Sequence, residues 1–175
     1  MVLSKRTHII LILIFLMILF GCKESVTTTD MNPIGTLSSY EGCKTSASTT
    51  GSGSSPHVIN EECIAYEYDG EGHLVLKHIN SGFNCCPEKI NADIFVSGDM
   101  IYIEEREEEQ GCLCQCLFDV KYEVHDVMPG DYTIEIKGPY IIGSDEELKF
   151  RVLLNGSCSG TFCVTRTHYP WNTQN

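Results

Sequence analysis

The chain has 175 residues, with 12 Lys and Arg against 24 Asp and Glu, and ten cysteines. A formal charge of −12 opposes nucleic-acid binding, which needs basic patches, and opposes adhesion to anionic lipid headgroups. It is compatible with solubility, cation binding or a basic partner, and the length suits one domain with attached segments.

Lys5 and Arg6 precede Ile9 to Phe20, an unbroken apolar run of 12 residues. A membrane-spanning helix needs about 20. The run fits the apolar centre of an export signal, so residues 1–21 are expected to form a signal helix. An uncleaved anchor or a core helix is the competing reading, but the run has no core-facing stripe. Leu19-Phe20-Gly21-Cys22 resembles the lipobox of bacterial lipoproteins. That resemblance implies cleavage before Cys22, acylation of Cys22 with chains such as palmitate, and attachment to the membrane through the N-terminal lipid. Lys23 and Glu24 follow, with no Asp, which in that family implies the outer membrane, facing periplasm or surface.

Residues 22–58 read as a flexible tether. Thr27 to Thr29 and Ser46 to Ser55 offer almost nothing to bury. Cys43 lies inside this stretch, and a bridge to Cys63 would tie the tether to the domain. With Cys22 acylated, an odd number of cysteines remains. One is then free, bonded to another molecule, or used for a metal.

Residues 59–168 alternate apolar and polar side chains in short runs. Cys63 to Tyr68 and His73 to Ile79 flank the turn Asp69-Gly70-Glu71-Gly72 and predict a hairpin. Ile90, Ala92, Ile94 and Val96 share a strand face. Met100 to Glu104 returns after Ser97-Gly98-Asp99, and Glu104 to Glu109 reads as an acidic loop. Cys112, Cys114, Cys116, Phe118, Val120, Tyr122 and Val124 then hold every second position, which predicts one strand with three inward sulfurs. Tyr132, Ile134 and Ile136 give another strand, Leu148 to Leu154 another, and Thr161 to Thr165 the last. Residues 169–175 are a tail, with Trp171 and Tyr169 placed as core padding. About eight strands and no helical period predict an all-β protein, an antiparallel β-sandwich braced by disulfides and preceded by a signal helix and flexible linker.

Two further resemblances bear on the domain. MPGDYTIEI is similar to the corner-and-strand segment of immunoglobulin-like and fibronectin-type domains, which implies an immunoglobulin-like sandwich with Tyr132 as corner tyrosine. The block FNCC…CLCQCLFD resembles one in uncharacterised exported bacterial proteins, which implies no particular activity.

The cysteines admit three roles. Side chains two apart on a strand stand roughly 6.5–7 Å apart, and a disulfide needs β-carbons at about 3.5–4.5 Å. Cys112, Cys114 and Cys116 therefore cannot pair with one another in a regular strand. Cys85 and Cys86 are the nearest partners, both turned inward only if the chain kinks at Pro87. Cys158 and Cys163 flank a tight turn and are expected to staple it. Disulfide bracing is the first reading for an exported domain. The second is a zinc or copper(I) site in which Cys112, Cys114 and Cys116, three thiols on one face, are joined by a fourth sulfur from Cys85 or Cys86, with Cys86 the choice. The third, a redox thiol, needs a helix start or nearby cation, and neither is evident.

Glu104 to Glu109 could collect calcium, but the spaced Asp and Gly of a calcium loop are missing, so a solvated hairpin end is expected. His73 and His78, five apart, point to opposite strand faces. His57, His125 and His168 stand alone, and Asp119 is expected to be exposed. No serine-nucleophile motif, phosphate-cradling glycine loop or zinc-protease helix occurs. The expectation is a lipid-anchored envelope protein working as a non-enzymatic binding or structural module, with no cofactor, no nucleic acid and an unknown envelope partner. A thiolate metal-binding lipoprotein is the alternative.

Overall fold

A computed structural model describes residues 34–44, 60–109 and 111–172. The export signal, Cys22, His57 and most of the expected tether lie outside the described residues. Nine strands follow in chain order: β1 (Ile34–Lys44), β2 (Glu61–Tyr68), β3 (Leu74–Asn84), β4 (Pro87–Ser97), β5 (Met100–Glu109), β6 (Gln115–His125), β7 (Gly130–Lys137), β8 (Lys149–Leu154) and β9 (Cys158–Thr165). No helix occurs among the described residues.

The strands form a five-stranded sheet, β1-β6-β3-β2-β9, and a four-stranded sheet, β4-β5-β7-β8. The two pack against each other as a sandwich. Every neighbouring pair is antiparallel except β5 and β7, which run parallel. The alternating apolar rows meet in the middle: Leu74, Leu76, Val120, Tyr122 and Val124 from one sheet, Ile101, Ile103, Ile134 and Leu154 from the other, all fully buried. Each such aliphatic side chain stabilises the fold by about 1.5–3 kcal/mol. The Tyr132 hydroxyl donates to the Met128 carbonyl at 2.9 Å, pinning the turn that opens β7.

The β2–β3 hairpin falls where the alternation and the Asp-Gly turn put it. Asp69 closes that turn, its carboxylate accepting the amides of Glu71 and His73 at 2.7 and 3.0 Å. Three boundaries differ from expectation. Residues 34–44, expected in the tether, form β1, an edge strand paired with β6. Most of its side chains are exposed; backbone pairing to β6 holds it, with Leu37 and Cys43 alone packed against the core. β5 does not end at Glu104 in an acidic loop but runs to Glu109. β6 begins at Gln115, so Cys112 and Cys114 sit in an exposed loop before it, and of the three expected inward sulfurs only Cys116 is in the strand and buried. Gly111, at φ +85°, turns the chain there.

A bulge in β3 switches which side chains of that strand face inward. Ile79 pairs with Asp119 and Ser81 with Phe118, so Asn80 is an extra residue, at φ +62°. Asparagine tolerates this left-handed region better than most residues. Before the bulge the even positions Leu74, Leu76 and His78 face the core; after it the odd positions Ser81 and Phe83 do. The C-terminal stretch closes over the bulge. Trp171 is buried, and its indole Nε1 donates to the Asn80 carbonyl at 2.7 Å. The domain therefore extends past residue 168.

Candidate functional site

Two constructions stand out, one on the surface and one in the interior. The first is the loop 111–114. Cys85 and Cys86 lie in the bend between β3 and β4, where the chain kinks before Pro87. Cys85 bridges Cys114 and Cys86 bridges Cys112. Leu113, between the two bridged residues, is fully exposed. The loop is also held by backbone and side-chain bonds. The Cys85 amide donates to the Cys114 carbonyl at 3.0 Å. Asn84 Nδ2 donates to the Cys112 carbonyl at 2.7 Å, and Asn84 Oδ1 accepts the Cys86 amide at 3.0 Å. Next to it the exposed ring of Tyr169 is fixed by its hydroxyl, which donates to the Gln115 carbonyl at 2.6 Å and accepts the Gln115 amide at 2.7 Å. The result is a rigid knuckle with one apolar side chain at its tip.

The second is a buried chain of charges. Glu105 of β5 reaches across from the four-stranded sheet to His78 of β3, Oε1 to Nδ1 at 2.7 Å. His78 Nε2 lies 2.9 Å from Glu62 Oε1, and Arg166 Nε donates to Glu62 Oε2 at 2.5 Å. Ser81 donates to Glu105 Oε2 at 2.6 Å, and the Tyr122 hydroxyl donates to Glu105 Oε1. His78 and Ser81 are three apart, and only the Asn80 bulge lets both face Glu105. Burial alone would lower the His78 pKa, but the Glu105 charge and the hydrogen bonds to both carboxylates override it and raise the imidazole to about 10. Burial alone would raise Glu105; the His78 charge and the bonds from His78, Ser81 and Tyr122 hold it below its usual value instead. Burial, with Glu105 alongside, pushes Tyr122 well above the usual phenol range. The chain therefore runs cation–anion–cation–anion from Arg166 to Glu105. Closed off from solvent and internally compensated, it acts as a polar bolt between sheets.

Most of the other cysteine expectations are revised. Cys43 bridges Cys116, not Cys63, and locks β1 to β6. Cys63 bridges Cys163, its directly opposed residue on β9. Cys158 does not staple to Cys163; it is the free cysteine among the described residues. Cys158 stands opposite Tyr68 and Cys163 opposite Cys63, so the β2–β9 register decides the pairing. Cys86, Cys112, Cys114 and Cys116, the expected thiolate set, are divided among three bridges and do not converge on one point while oxidised.

The acidic run is spent on the fold. Glu107 accepts the Asn84 amide at 2.7 Å and the Tyr140 hydroxyl at 2.5 Å, Glu108 accepts from Asn91 at 2.8 Å, and Arg106 pairs with Asp93. Asp119 is mostly buried, not exposed. It pairs with Lys44 and with Lys77 at 3.1 Å, and burial, which would raise its pKa, is outweighed by the Lys44 hydrogen bond and charge, so it is lowered. His168 pairs with Asp145 at 2.9 Å. His73 faces outward, as its odd spacing from His78 requires, and lines a cleft of about 390 Å³ with Glu67, Tyr68, Asp69, Val75 and Ser157–Ser159.

The buried charges do carry a signal in the sequence. His78 continues the row Leu74, Leu76; Glu105 continues Ile101, Ile103; Arg166 continues Val164. Each is the next core-facing position of an apolar alternation. No family model matches the chain, and no curated protein or solved structure matches it.

Proposed function

We propose that this protein is a lipid-anchored, non-enzymatic binding module of the bacterial envelope, an immunoglobulin-like sandwich that presents the Cys112–Cys114 knuckle to a partner. The observation that carries the reading is Leu113, fully exposed between two cysteines that are each bridged to the next loop. An apolar side chain already fixed in its presenting geometry loses little freedom on binding, which favours recognition. Disulfides persist in oxidising compartments, in keeping with export through the N-terminal signal and acylation at Cys22. The Tyr132–Met128 bond supports the finer, immunoglobulin-like reading.

Two experiments test it. In fractionated cells the native chain is expected with the membranes and Cys22→Ser in the soluble fraction; equal distribution would sink the anchor. A photo-crosslinking residue placed at Leu113 is expected to trap one envelope component. The same residue at Leu153, an exposed apolar position on β8, is expected to trap none. Equal or absent trapping at both positions defeats the binding role.

A further inference from the structure

The outer face of the five-stranded sheet brings together two histidines and a glutamate from parts of the sequence about 50 residues apart. β3 and β6 pair with Leu74 opposite Val124 and Val75 opposite Glu123. One step further along the same register sets His73 against His125. Glu123 and His125, two apart on β6, share a face. The two imidazoles stack with centroids 4.6 Å apart and planes 9° from parallel. One ligand atom from each of His73, Glu123 and His125 lies within 4.8 Å of the others.

The arrangement leaves donor atoms turned toward a common point. His73 Nε2 is buried and has no hydrogen-bond partner. Glu123 Oε2 is 3.8 Å from it, too far for a hydrogen bond. Glu123 Oε1 accepts from Lys121 Nζ at 3.0 Å, and Ser38 also hydrogen-bonds the carboxylate, so a metal would compete with both for it. The backbone beneath His73 is fixed, its amide held by Asp69 at 3.0 Å and its carbonyl accepting the Asp69 amide at 3.1 Å.

We propose that His73, His125 and Glu123 form a surface site for a divalent transition-metal ion of the zinc class. Two imidazole nitrogens and one carboxylate oxygen are an established donor set for such ions, at metal–ligand distances of about 2.0–2.2 Å. Modest side-chain rotation draws the three atoms to that spacing. Three protein ligands leave further coordination positions open, and His73 also lines the cleft that holds Glu67, Asp69 and Ser157–Ser159. Lys121 offsets the carboxylate charge and makes this a weaker site than a bare His-His-Glu set.

The test is titration of the metal-free, disulfide-intact full chain with Zn²⁺ by calorimetry, and with Co²⁺ by absorption spectroscopy. One ion per chain is expected. His125→Ala and Glu123→Gln, each at an outward-facing position, are expected to weaken binding at least about tenfold, since losing a ligand costs no less than losing a supporting residue. Unchanged thermal unfolding of the metal-free variants separates lost ligation from lost folding. The Co²⁺ complex is expected to show nitrogen–oxygen ligand-field bands without thiolate charge transfer, and Cys158→Ser to bind as the native chain does. No stoichiometric binding, binding indifferent to both His125→Ala and Glu123→Gln, or a thiolate band lost in Cys158→Ser overturns the proposal.

Discussion

His78 Nδ1 meets Glu105 Oε1 at 2.7 Å across the interface between the two sheets, with both side chains wholly withdrawn from solvent. That contact makes the stability of the sandwich depend on pH from both sides. His78 has a folded pKa raised to about 10 from 6.5. Its contribution is complete below pH 6.5, declines above it, and is gone once pH passes about 10. Glu105 has a folded pKa below 4.5, so its contribution is present above that value and fades as pH falls. Denaturant midpoints measured across pH are expected to peak between about 4.5 and 6.5 and fall on the alkaline side at up to about 1.4 kcal/mol per pH unit. A flat profile from pH 6 to 10 would show that His78 is not charged in the folded protein.

Glu105→Gln keeps the shape of the side chain and removes its charge. The imidazolium then loses its main counterion, and Ser81 and Tyr122 lose a charged acceptor. Unfolding by urea is expected to show a loss of about 3–5 kcal/mol, the usual penalty for breaking a buried pair. The alkaline decline in stability still begins near pH 6.5, but is expected to be smaller and to end at lower pH than in the native chain, because the folded His78 pKa falls without Glu105.

Removing the Cys63–Cys163 bridge with paired alanines is expected to lower stability by about 4 kcal/mol. It closes the longest span of the four, 100 residues, against 26 for Cys86–Cys112. The Cys86, Cys112 pair of alanines is expected to cost less in stability. Guanidinium unfolding of the two variants under non-reducing conditions gives the ranking.

Gly82 has no room for a methyl group. A β-carbon there would stand 2.8 Å from Trp171 Cη2 and 3.3 Å from Pro170 Cγ. Gly82→Ala is expected to lift Trp171 from its seat, stretch its bond to Asn80 and destabilise by about 1–3 kcal/mol. Trp171 is the sole tryptophan, so its fluorescence reports the shift directly, moving to longer wavelength as the ring meets water.

Leu113→Asp is expected to leave the unfolding midpoint within about 0.5 kcal/mol of native, because the side chain is fully exposed. A large loss would mean that the knuckle is packed against something, contrary to its role as a free tip.

Strands whose side chains alternate between core and solvent are legible in the sequence, because burial prints itself on composition: Leu74, Leu76 and Ile101, Ile103 are such rows. β1 is not, since most of its side chains are solvated and only Leu37 and Cys43 reach the core, too few to print an apolar alternation. The acidic run reads as a loop because a row of carboxylates ordinarily marks one, while Glu105 keeps the phase of Ile101 and Ile103. Cys112 and Cys114 match the alternation of β6 by coincidence of spacing; bridges to a kinked Cys85-Cys86 and the turn at Gly111 take them out of the strand. His73 and His125 look solitary because their meeting depends on β3–β6 register, which no local pattern encodes.

The lock between Cys43 and Cys116 has a mechanical meaning. A tug transmitted from the N-terminal side enters at Ile34 and can unzip β1 from its neighbour one rung at a time. At Cys43 the peeling reaches a covalent stop bonded to Cys116 of β6, the strand it is peeling from. Tension is arrested at that rung, and the interior beyond it stays shielded from load.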